Sequence, residues 1–538
     1  MDLVLYHGKI YLQKEKFAEA VWIHDDLVAA VGSDVQILAM APLGAQKMDV
    51  GGRVILPGFN DSHQHMSLVG EWQALCDLGE ANGVEDIIAR CRTFMEENPQ
   101  LTGAGIHGIG WNQDYFTRGE QRPPVRQELD RISTEIPIVL ERVCGHMSCA
   151  NTKALEIAQI TAQTVIDGGE TMLGEDGLPN GIVTENACYA VAKAVPKPDI
   201  GRLEELYCRA MRLAVRQGLT SVQSNDVGDE NADWMFPLWR RLYEQERLPL
   251  RYRHQYCFLQ RKNFEHFLHT EWEQRKSYNR MLSLGPLKLY KDGSLGARTA
   301  LMRQPYADDP LNYGTEVLSD DQMDELCNLA AEHGVQVVTH AIGDAAIAAV
   351  IDSYERTMQS GMNVLRHGLI HCQITDRALL ERIARLGILA MVQPIFLNYD
   401  LHIAEARVGA QLASTSYAFA SLKRLGAFVS LGTDAPVEAF QPFHNLYCAV
   451  ERKDLRGEPI EGFYPMECMS LEDALDAYTW GSAHAEFAEN WKGRLLPGYV
   501  ADLIVLDRDI FALPPEALLE VQVEMTMVGG RIVYQKID

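Results

Sequence analysis

The sequence lacks the features that would place the protein in a membrane or on nucleic acid. No apolar run approaches the ~18 residues needed to span a bilayer. The first residues, MDLVLYHGKIYLQKEK, alternate apolar and polar side chains and lack the basic start and apolar core of a signal peptide. Bases are scarce, with 49 against 74 acids and a net charge of −25. Because nucleic acids and anionic membranes both require a basic face, we expect neither as a partner.

Signals for cysteine pairing are also missing. The 11 cysteines are scattered and include no Cys-x-x-Cys pair, which favours free thiols in a reducing compartment. We therefore expect a cytoplasmic protein. Its 47% hydrophobic and 23% charged content is ordinary for a soluble enzyme. We expect a small-molecule substrate, and the composition leaves a homo-oligomer open.

The middle of the chain, residues 57–480, predicts an α/β fold, a (β/α)₈ TIM barrel. Short apolar strands alternate there with segments of helical period, the pattern of a parallel sheet with helical crossovers. Such a barrel carries its catalytic residues at the carboxyl ends of its strands. The eight candidate strands end near His65, Asn225, Cys257, Lys291, His340, His371, Gln393 and Asp434.

The rest of the chain predicts two smaller parts. Residues 1–56 and 481–538 have the pattern of short strands and turns, and the simplest arrangement pairs both ends in one small β-sandwich. About 150 residues separate His65 from the next strand at Leu219, too many for a structureless loop. Residues of about 70–205 are therefore predicted to form an inserted subdomain on the catalytic face.

The stretch LPGFNDSHQH supplies the first candidate metal ligands. A buried strand ends at Leu56, and Pro57-Gly58 interrupts it. His63 and His65 are two residues apart, so on an extended segment both imidazoles point to the same side and can reach one ion. A lone His-x-His is weak evidence, and it becomes strong only when later strand ends supply more ligands.

Later strand ends do supply them. Lys288 lies between two leucines in LKLYKDG, so alternation sends it into the barrel, where an uncompensated lysine is costly. Carbamylation by carbon dioxide would make it an anionic oxygen ligand. The alternatives are that Lys288 pairs with a carboxylate, or that Lys291 is the inward lysine. His340, His371 and Asp434 follow at the ends of VQVVTH, GLIH and FVSLGTD.

These six residues predict a divalent-metal site. Taken singly, each residue type at a strand end is more often a hydrogen-bonded core or loop residue, but six in the order of a barrel are difficult to obtain by chance. Imidazoles and carboxylate-type oxygens suit Zn²⁺, as one or two ions, with Mn²⁺, Co²⁺ or Fe²⁺ as alternatives.

Three residues of the inserted segment are substrate-binding candidates, namely Trp111, His146 and Glu185. They would contact a substrate if the insert roofs the pocket. The alternative is that each is a structural polar group or a core aromatic residue.

Together these motifs resemble the amidohydrolase superfamily of metal-dependent hydrolases, and most closely its group that contains N-substituted formamide deformylases. The resemblance implies a (β/α)₈ barrel flanked by a β-sandwich and one or two divalent ions. It covers nearly the whole length, through DSHQHM, GWNQDYF, HMSCANTKAL, LPNGIVTENA, GLTSVQSND, GPLKLYKDGSLGARTALM, VTHAIGDAAI, RHGLIHCQ, MVQPIFL, LGTDAPVE and GRLLPGYVADLIVLD.

The resemblance also implies a role for each candidate ligand. His63 and His65 match the ligands of the first strand, Lys288 the often carbamylated lysine of the fourth, His340 and His371 the ligands of the fifth and sixth, and Asp434 the aspartate of the eighth. Two positions depart from the family pattern. Ile370 stands where relatives often carry glutamate, and Lys291 stands where a small or apolar residue is usual.

The predicted chemistry is hydrolysis. A bound divalent ion lowers the pKa of its water from about 16 towards about 7, and we expect Asp434 to accept the proton and deliver it to the leaving amine. The leading prediction is cleavage of a non-peptide C–N bond in a formamide, an N-acyl amine or a cyclic amide. The alternatives are ester hydrolysis or decarboxylation at the same site, and a catalytically silent regulator that binds metal or a metabolite.

Overall fold

The computed structural model describes residues 2–274, 278–358 and 361–536. The chain divides into two compact units. One consists of Met1–Leu68 and Cys208–Asp538, and the other of Val69–Tyr207.

A parallel eight-stranded sheet forms the centre of the first unit, and strands that follow one another along the chain are neighbours in the sheet. The backbone N–H of Asp434 donates to the carbonyl of His63 at 2.8 Å, and that of His65 donates to the carbonyl of Ala435 at 2.7 Å. These bonds link the eighth strand to the first, so the sheet is a nearly closed TIM-like barrel. Each strand ends within three residues of its predicted end, and the eight strands are Phe59–Gln64, Leu219–Gly228, Arg251–Cys257, Leu282–Tyr290, Val337–Ala341, Gly368–His371, Leu389–Val392 and Val429–Leu431.

The barrel strands and helices follow from local sequence. The strand Leu389–Val392 is apolar and buried throughout, as expected for a parallel strand covered on both faces. The helix Arg377–Leu386 begins after Asp376, whose side chain accepts from the backbone of Leu379 at 2.8 Å. It ends at Gly387, which has the left-handed φ of +65° that glycine adopts without strain.

The first unit has two further sheets. The six-stranded one takes strands from both chain ends, whereas the strands of the four-stranded one come from residues 2–49. Leu5, Val21, Ile55, Leu503 and Met527, drawn from the two sheets, belong to one apolar cluster. The two ends therefore interleave within one sheet, while the β-sandwich assignment stays a prediction. The four-stranded sheet has the order Leu27–Gly32, Ala20–His24, Asp2–Tyr6 and Gln46–Asp49, and the six-stranded sheet has the order Arg531–Gln535, Val523–Val528, Leu503–Leu506, Val54–Pro57, Lys9–Gln13 and Lys16–Ala18.

The second unit is built on a mixed six-stranded sheet around its own apolar core. The predicted boundaries of the inserted subdomain, the barrel and the terminal parts stay predictions. The sheet order is Gly169–Leu173, Pro179–Glu185, Met147–Ala150, Ile138–Arg142, Ile106–Trp111 and Cys76–Asp77.

Helices make up most of the remaining regular structure. In the described part of the chain, every helix is too short or too polar to cross a bilayer. The α-helices are Asp34–Met40, Met66–Trp72, Val84–Glu97, Pro99–Thr102, Arg126–Leu129, Thr152–Ile157, Asn186–Ala192, Ile200–Arg216, Ala232–Glu244, Arg261–Phe267, Asp320–Glu332, Asp344–Thr357, Arg377–Leu386, Leu397–Asp400, Ala404–Ala413, Phe419–Arg424, Pro442–Glu451, Leu471–Asp476 and Ser482–Ala485. Shorter 3₁₀ or π turns cover Gln113–Tyr115, Leu268–Trp272, Pro394–Phe396, Pro465–Glu467, Ala477–Gly481 and Pro515–Glu520.

Candidate metal centre

Four histidines and one aspartate form a cluster at the carboxyl end of the barrel strands. His63, His371 and Asp434 each offer one ligand atom, and these atoms lie within 4.8 Å of one another. Asp434 Oδ1 is 3.2 Å from Nε2 of His63 and 3.2 Å from Nε2 of His65. The ring centre of His340 is 4.5 Å from that of His371. The structure therefore brings together five of the six residues selected from the sequence as metal ligands.

The proton positions on His63 and His65 are fixed by their outer partners. His63 Nδ1 lies 2.6 Å from Gln255 Oε1. The Gln255 amide nitrogen donates to the carbonyl of Ser62 at 2.9 Å, which sets the orientation of that amide. His65 Nδ1 lies 2.8 Å from the backbone carbonyl oxygen of Asn225. Because an oxygen acceptor requires a proton on each Nδ1, each Nε2 carries an unshared electron pair.

The same reasoning applies to the other two rings. His371 Nδ1 lies 2.8 Å from Gln393 Oε1, and the Gln393 amide nitrogen donates to the carbonyl of Met391 at 3.1 Å. The unshared pair of His371 is therefore on Nε2. His340 Nε2 donates to the carbonyl of Gly293 at 3.0 Å, which leaves the unshared pair on Nδ1.

This arrangement fits a divalent cation. Asp434 Oδ1 is buried and accepts no hydrogen bond from the described residues, although two imidazole nitrogens lie 3.2 Å away. A carboxylate oxygen and imidazole electron pairs at this distance repel one another unless a cation lies among them. Burial lowers the pKa of His63 to about 4 and that of His340 to about 3, so both rings are neutral at pH 7. Neutral imidazoles with a carboxylate are a donor set for Zn²⁺ or a similar ion.

The two lysines near the end of the fourth strand have different surroundings. Lys291 Nζ contacts Glu316 Oε1 at 2.6 Å and Asp320 Oδ1 at 2.5 Å. Lys288 is fully buried, and its Nζ has no hydrogen-bond partner in the described chain and lies 3.9 Å from the ring centre of Tyr290. Carboxylates thus neutralise Lys291, whereas Lys288 remains uncompensated.

Lys288 also acts electrostatically on the histidine cluster. After burial, its charge is the next largest cause of the lowered pKa of His63 and of His340. Burial in turn lowers the pKa of Lys288 itself to about 8. Of the alternatives left open by the sequence, the inward position therefore belongs to Lys288.

Backbone conformation at two of the candidate ligands is strained. His371 and Asp434 have φ values of +75° and +58°, a left-handed region that costs a non-glycine residue of order 1 kcal/mol. At Gly432, an added Cβ would lie 2.7 Å from the backbone nitrogen of His63. Only glycine permits this approach, which brings Asp434 to the first strand.

Two buried carboxylates hold the loops around the cluster. Asp61 accepts from the Thr433 hydroxyl at 2.6 Å and from the backbone of His63 at 3.1 Å. Asp292 accepts from the backbone of Gly343 at 2.8 Å. Burial raises the pKa of both carboxyl groups to about 7. These contacts fix the loop after the eighth strand and the loop after the fifth.

The three substrate-binding candidates lie in the second unit. Trp111 is buried in the core of that unit, and its Nε1 donates to the carbonyl of Leu140 at 3.0 Å. His146 and Glu185 have exposed side chains, and Nδ1 of His146 is 3.0 Å from Glu185 Oε2. A role of these residues in substrate binding stays a prediction.

The reasoning from sequence missed the residues that orient the imidazoles. Gln255 was not identified, and Asn225 and Gln393 were noted only as strand ends. The available signal was an amide side chain within an otherwise apolar strand end, in HQYC and MVQP. Partners of this kind are what metal-bound histidines usually need.

Comparisons with known proteins identify the family of the chain. The model of a family described as the amidohydrolase family matches residues 46–534. YtcJ of Bacillus subtilis is 31% identical over 541 residues, covering all of both chains. The N-substituted formamide deformylase of Arthrobacter pascens is 27% identical, covering 99% of this chain and 98% of its own. The crystal structure of an uncharacterised metal-dependent hydrolase from Pyrococcus furiosus has a TM-score of 0.76 at 28% identity, covering 96% of this chain and 100% of that one. With the barrel and the histidine–aspartate cluster in place, the match along almost its whole length shows that the chain belongs to the amidohydrolase family.

Proposed function

We propose that this protein hydrolyses a C–N bond outside peptides, in a small molecule that is a formamide, an N-acyl amine or a cyclic amide. One observation carries the metal-dependent part of the proposal. The buried Oδ1 of Asp434 lies 3.2 Å from the Nε2 atoms of His63 and His65, whose Nδ1 atoms are engaged by other acceptors, so these three atoms offer a ready donor set for a divalent cation.

The ion would be held by His63, His65, His371 and Asp434, and His340 would lie beside them. A divalent ion bound there, Zn²⁺ as our first choice, would polarise a substrate carbonyl and acidify a water molecule. The neutral imidazoles of His63 and His371 favour binding, because no proton has to leave them first. Burial disfavours the charged form of His65, but the neighbouring Asp434 carboxylate outweighs it and raises the pKa of His65, so a proton on that ring would compete with the ion.

Lys288 would complete the site as a carbamate. In that reaction its nitrogen forms a bond to the carbon of carbon dioxide and releases one proton. A buried amine with a pKa of about 8 is neutral in about a tenth of the molecules near pH 7, far more often than an ordinary lysine, and Lys288 Nζ has no hydrogen-bond partner among the described residues to compete for it. The added negative charge would offset the cost of burying the group.

Asp434 would carry the proton. Its carboxylate accepts a proton as water attacks the carbonyl, and then donates that proton to the departing nitrogen. An amine is a poor leaving group without this proton, and a positioned acid–base group contributes about 10²–10⁴-fold to the rate.

The amide class is supported by the relatives. The deformylase of Arthrobacter pascens is named for N-substituted formamides and is aligned over nearly its whole length. A cytoplasmic location is supported by the cysteines, since no disulfide joins the described ones.

The test is turnover of a formamide, an N-acyl amine and a cyclic amide by protein treated with chelator and reloaded with Zn²⁺ or Mn²⁺. We expect at least one amide to be cleaved only after reloading, and the corresponding ester to be a poorer substrate. Asp434→Asn should keep its metal by elemental analysis and lose about 10²–10⁴-fold in turnover.

Three results would contradict the proposal. They are metal-independent turnover, cleavage of the ester alone, and a near-normal rate for Asp434→Asn. Bound metal with no turnover of any substrate would instead favour the regulator.

A further inference from the structure

A cavity lies at the opposite end of the barrel, where the strands begin. Arg251 and Arg253 of the third strand line it, together with Ser283 of the fourth strand and residues 486–492. Its volume is about 190 Å³, room for roughly six water molecules at about 30 Å³ each. It is therefore smaller than the roughly 300 Å³ at which pockets for drug-sized molecules begin.

Two of the four basic residues around the cavity are neutralised by carboxylates. Arg251 makes two bonds to Asp502, at 2.6 and 2.9 Å. Lys492 Nζ contacts the carboxylate of Glu486 and bonds to the hydroxyl of Ser221 at 2.6 Å. These two pairs contribute no net charge.

The other two basic residues, Arg253 and Arg280, have no carboxylate partner among the described residues. Arg253 Nη1 donates to the backbone carbonyl of Glu486 at 3.0 Å, and its Nε is buried without a partner. Arg280 is exposed, and its guanidinium lies 4.8 Å from the ring centre of Trp491. Two uncompensated guanidinium groups thus line one cavity of a protein whose net charge is −25.

The position of Arg253 is fixed by packing. Gly285 lies directly against it, since an added Cβ would be 3.0 Å from Arg253 Nε and 2.1 Å from the backbone oxygen of His254. A buried N–H without an acceptor destabilises the folded protein, because the group has lost its hydrogen bonds to water. Arg253 is thus a cationic side chain in the cavity wall with a donor that no described residue uses.

We propose that this cavity binds a small oxyanion, a carboxylate or a phosphate, between Arg253 and Arg280. The planar guanidinium matches both anions with paired N–H donors. Trp491 forms part of the wall, and its ring makes a cation–π contact with the guanidinium of Arg280. The site is separate from the metal centre and does not depend on the reaction proposed above.

The test is calorimetric titration of the intact protein with inorganic phosphate and, separately, with succinate, at constant ionic strength set with chloride. We expect saturable binding of at least one, and the better ligand identifies the source as phosphate or carboxylate. Arg280→Gln and Arg253→Gln should each weaken binding at least about tenfold. Arg377→Gln is the matched control, because Arg377 is an exposed arginine paired with Glu381 on a helix.

A further control tests whether the anion binds at the metal centre instead of in the cavity. His63→Ala should bind the anion as the unaltered protein does. Arg253 is half-buried and packs against Gly285, so Arg253→Gln could fail to fold. In that case the variant of the exposed residue, Arg280→Gln, decides the test. The proposal is overturned if neither anion binds saturably, if Arg280→Gln binds like the unaltered protein, or if binding disappears in His63→Ala.

Discussion

Each end of the barrel has a buried polar atom without a hydrogen-bond partner among the described residues. The atom is an acceptor at one end and a donor at the other. At the carboxyl end of the strands, the buried oxygen of Asp434 faces nitrogen electron pairs and has no donor. At the amino end, the buried Nε of Arg253 has no acceptor. The third strand reaches both ends, with Arg253 near its start and Gln255, the partner of His63, near its end. The sign of the unmatched group indicates the ligand, a cation at one end and an anion at the other.

The largest expected effect is the loss of metal binding at the carboxyl end of the barrel. His63→Ala removes an imidazole ligand and should lower both metal content and turnover, the latter on the order of 10³-fold, because the ion contributes several kcal/mol to the reaction. Elemental analysis and a turnover assay measure both. Full metal content in this variant would show that the cluster does not hold the ion.

The next effect concerns stability at the amino end. Arg251→Met leaves the carboxylate of Asp502 buried without its charged partner, since both side chains are only 6% exposed, although the backbone N–H of Gly529 still donates to it. The substitution should cost about 3–5 kcal/mol of unfolding free energy. Arg298→Met breaks a more exposed pair with Asp308 and should cost under about 1 kcal/mol. Urea denaturation compares the two variants, and metal content should not change in either. Equal costs would contradict the difference in burial.

A smaller effect tests the partners of the imidazoles. Gln393→Leu removes the acceptor of His371 Nδ1 and should weaken metal binding about 10–100-fold. Gln336→Leu is the matched control, because Gln336 is also buried but donates to the backbone of Arg366 and Ala485. Competition with a chromophoric chelator measures the affinity. Equal losses in both variants would mean that Gln393 acts only through stability.

The smallest effect is at the exposed arginine of the cavity. Arg280→Gln should change stability by no more than about 0.5 kcal/mol without added anion, because the side chain is exposed. At an anion concentration of ten times Kd, the unaltered protein should gain about 1.4 kcal/mol. Thermal unfolding with and without the anion should show this gain reduced in the variant. The same gain in both proteins would show that Arg280 does not contribute to anion binding.

The barrel and the positions of its strand ends were predictable from the sequence. Each strand is a short apolar run, and a polar residue follows where the run ends. Which of Lys288 and Lys291 points into the barrel could not be predicted from the sequence. Alternation places Lys288 inward, but Lys291 follows the last residue of its strand, Tyr290. Its carboxylate partners, Glu316 and Asp320, come from 25 and 29 residues further along the chain. Sequence spacing alone does not show such a contact.

The amide partners and the cavity were unpredictable for a related reason. The sequence does not show whether the oxygen or the nitrogen of an amide side chain faces a given neighbour. The amide of Gln255 is oriented by a backbone carbonyl of another strand. The cavity joins the starts of three strands to residues 486–492, more than 200 positions further along the chain. The positive φ of Asp434 is likewise a product of the loop's tertiary contacts.

The interleaving of the chain ends in one sheet has a consequence for synthesis. Val54–Pro57, directly upstream of the strand that carries His63, pairs with Leu503–Leu506. During translation that early segment has an open edge until almost the entire polypeptide has left the ribosome, and open edges invite wrong pairings. A shortened product that stops before Leu503 would lose the anchor of its earliest metal ligands, even though its barrel strands are all present.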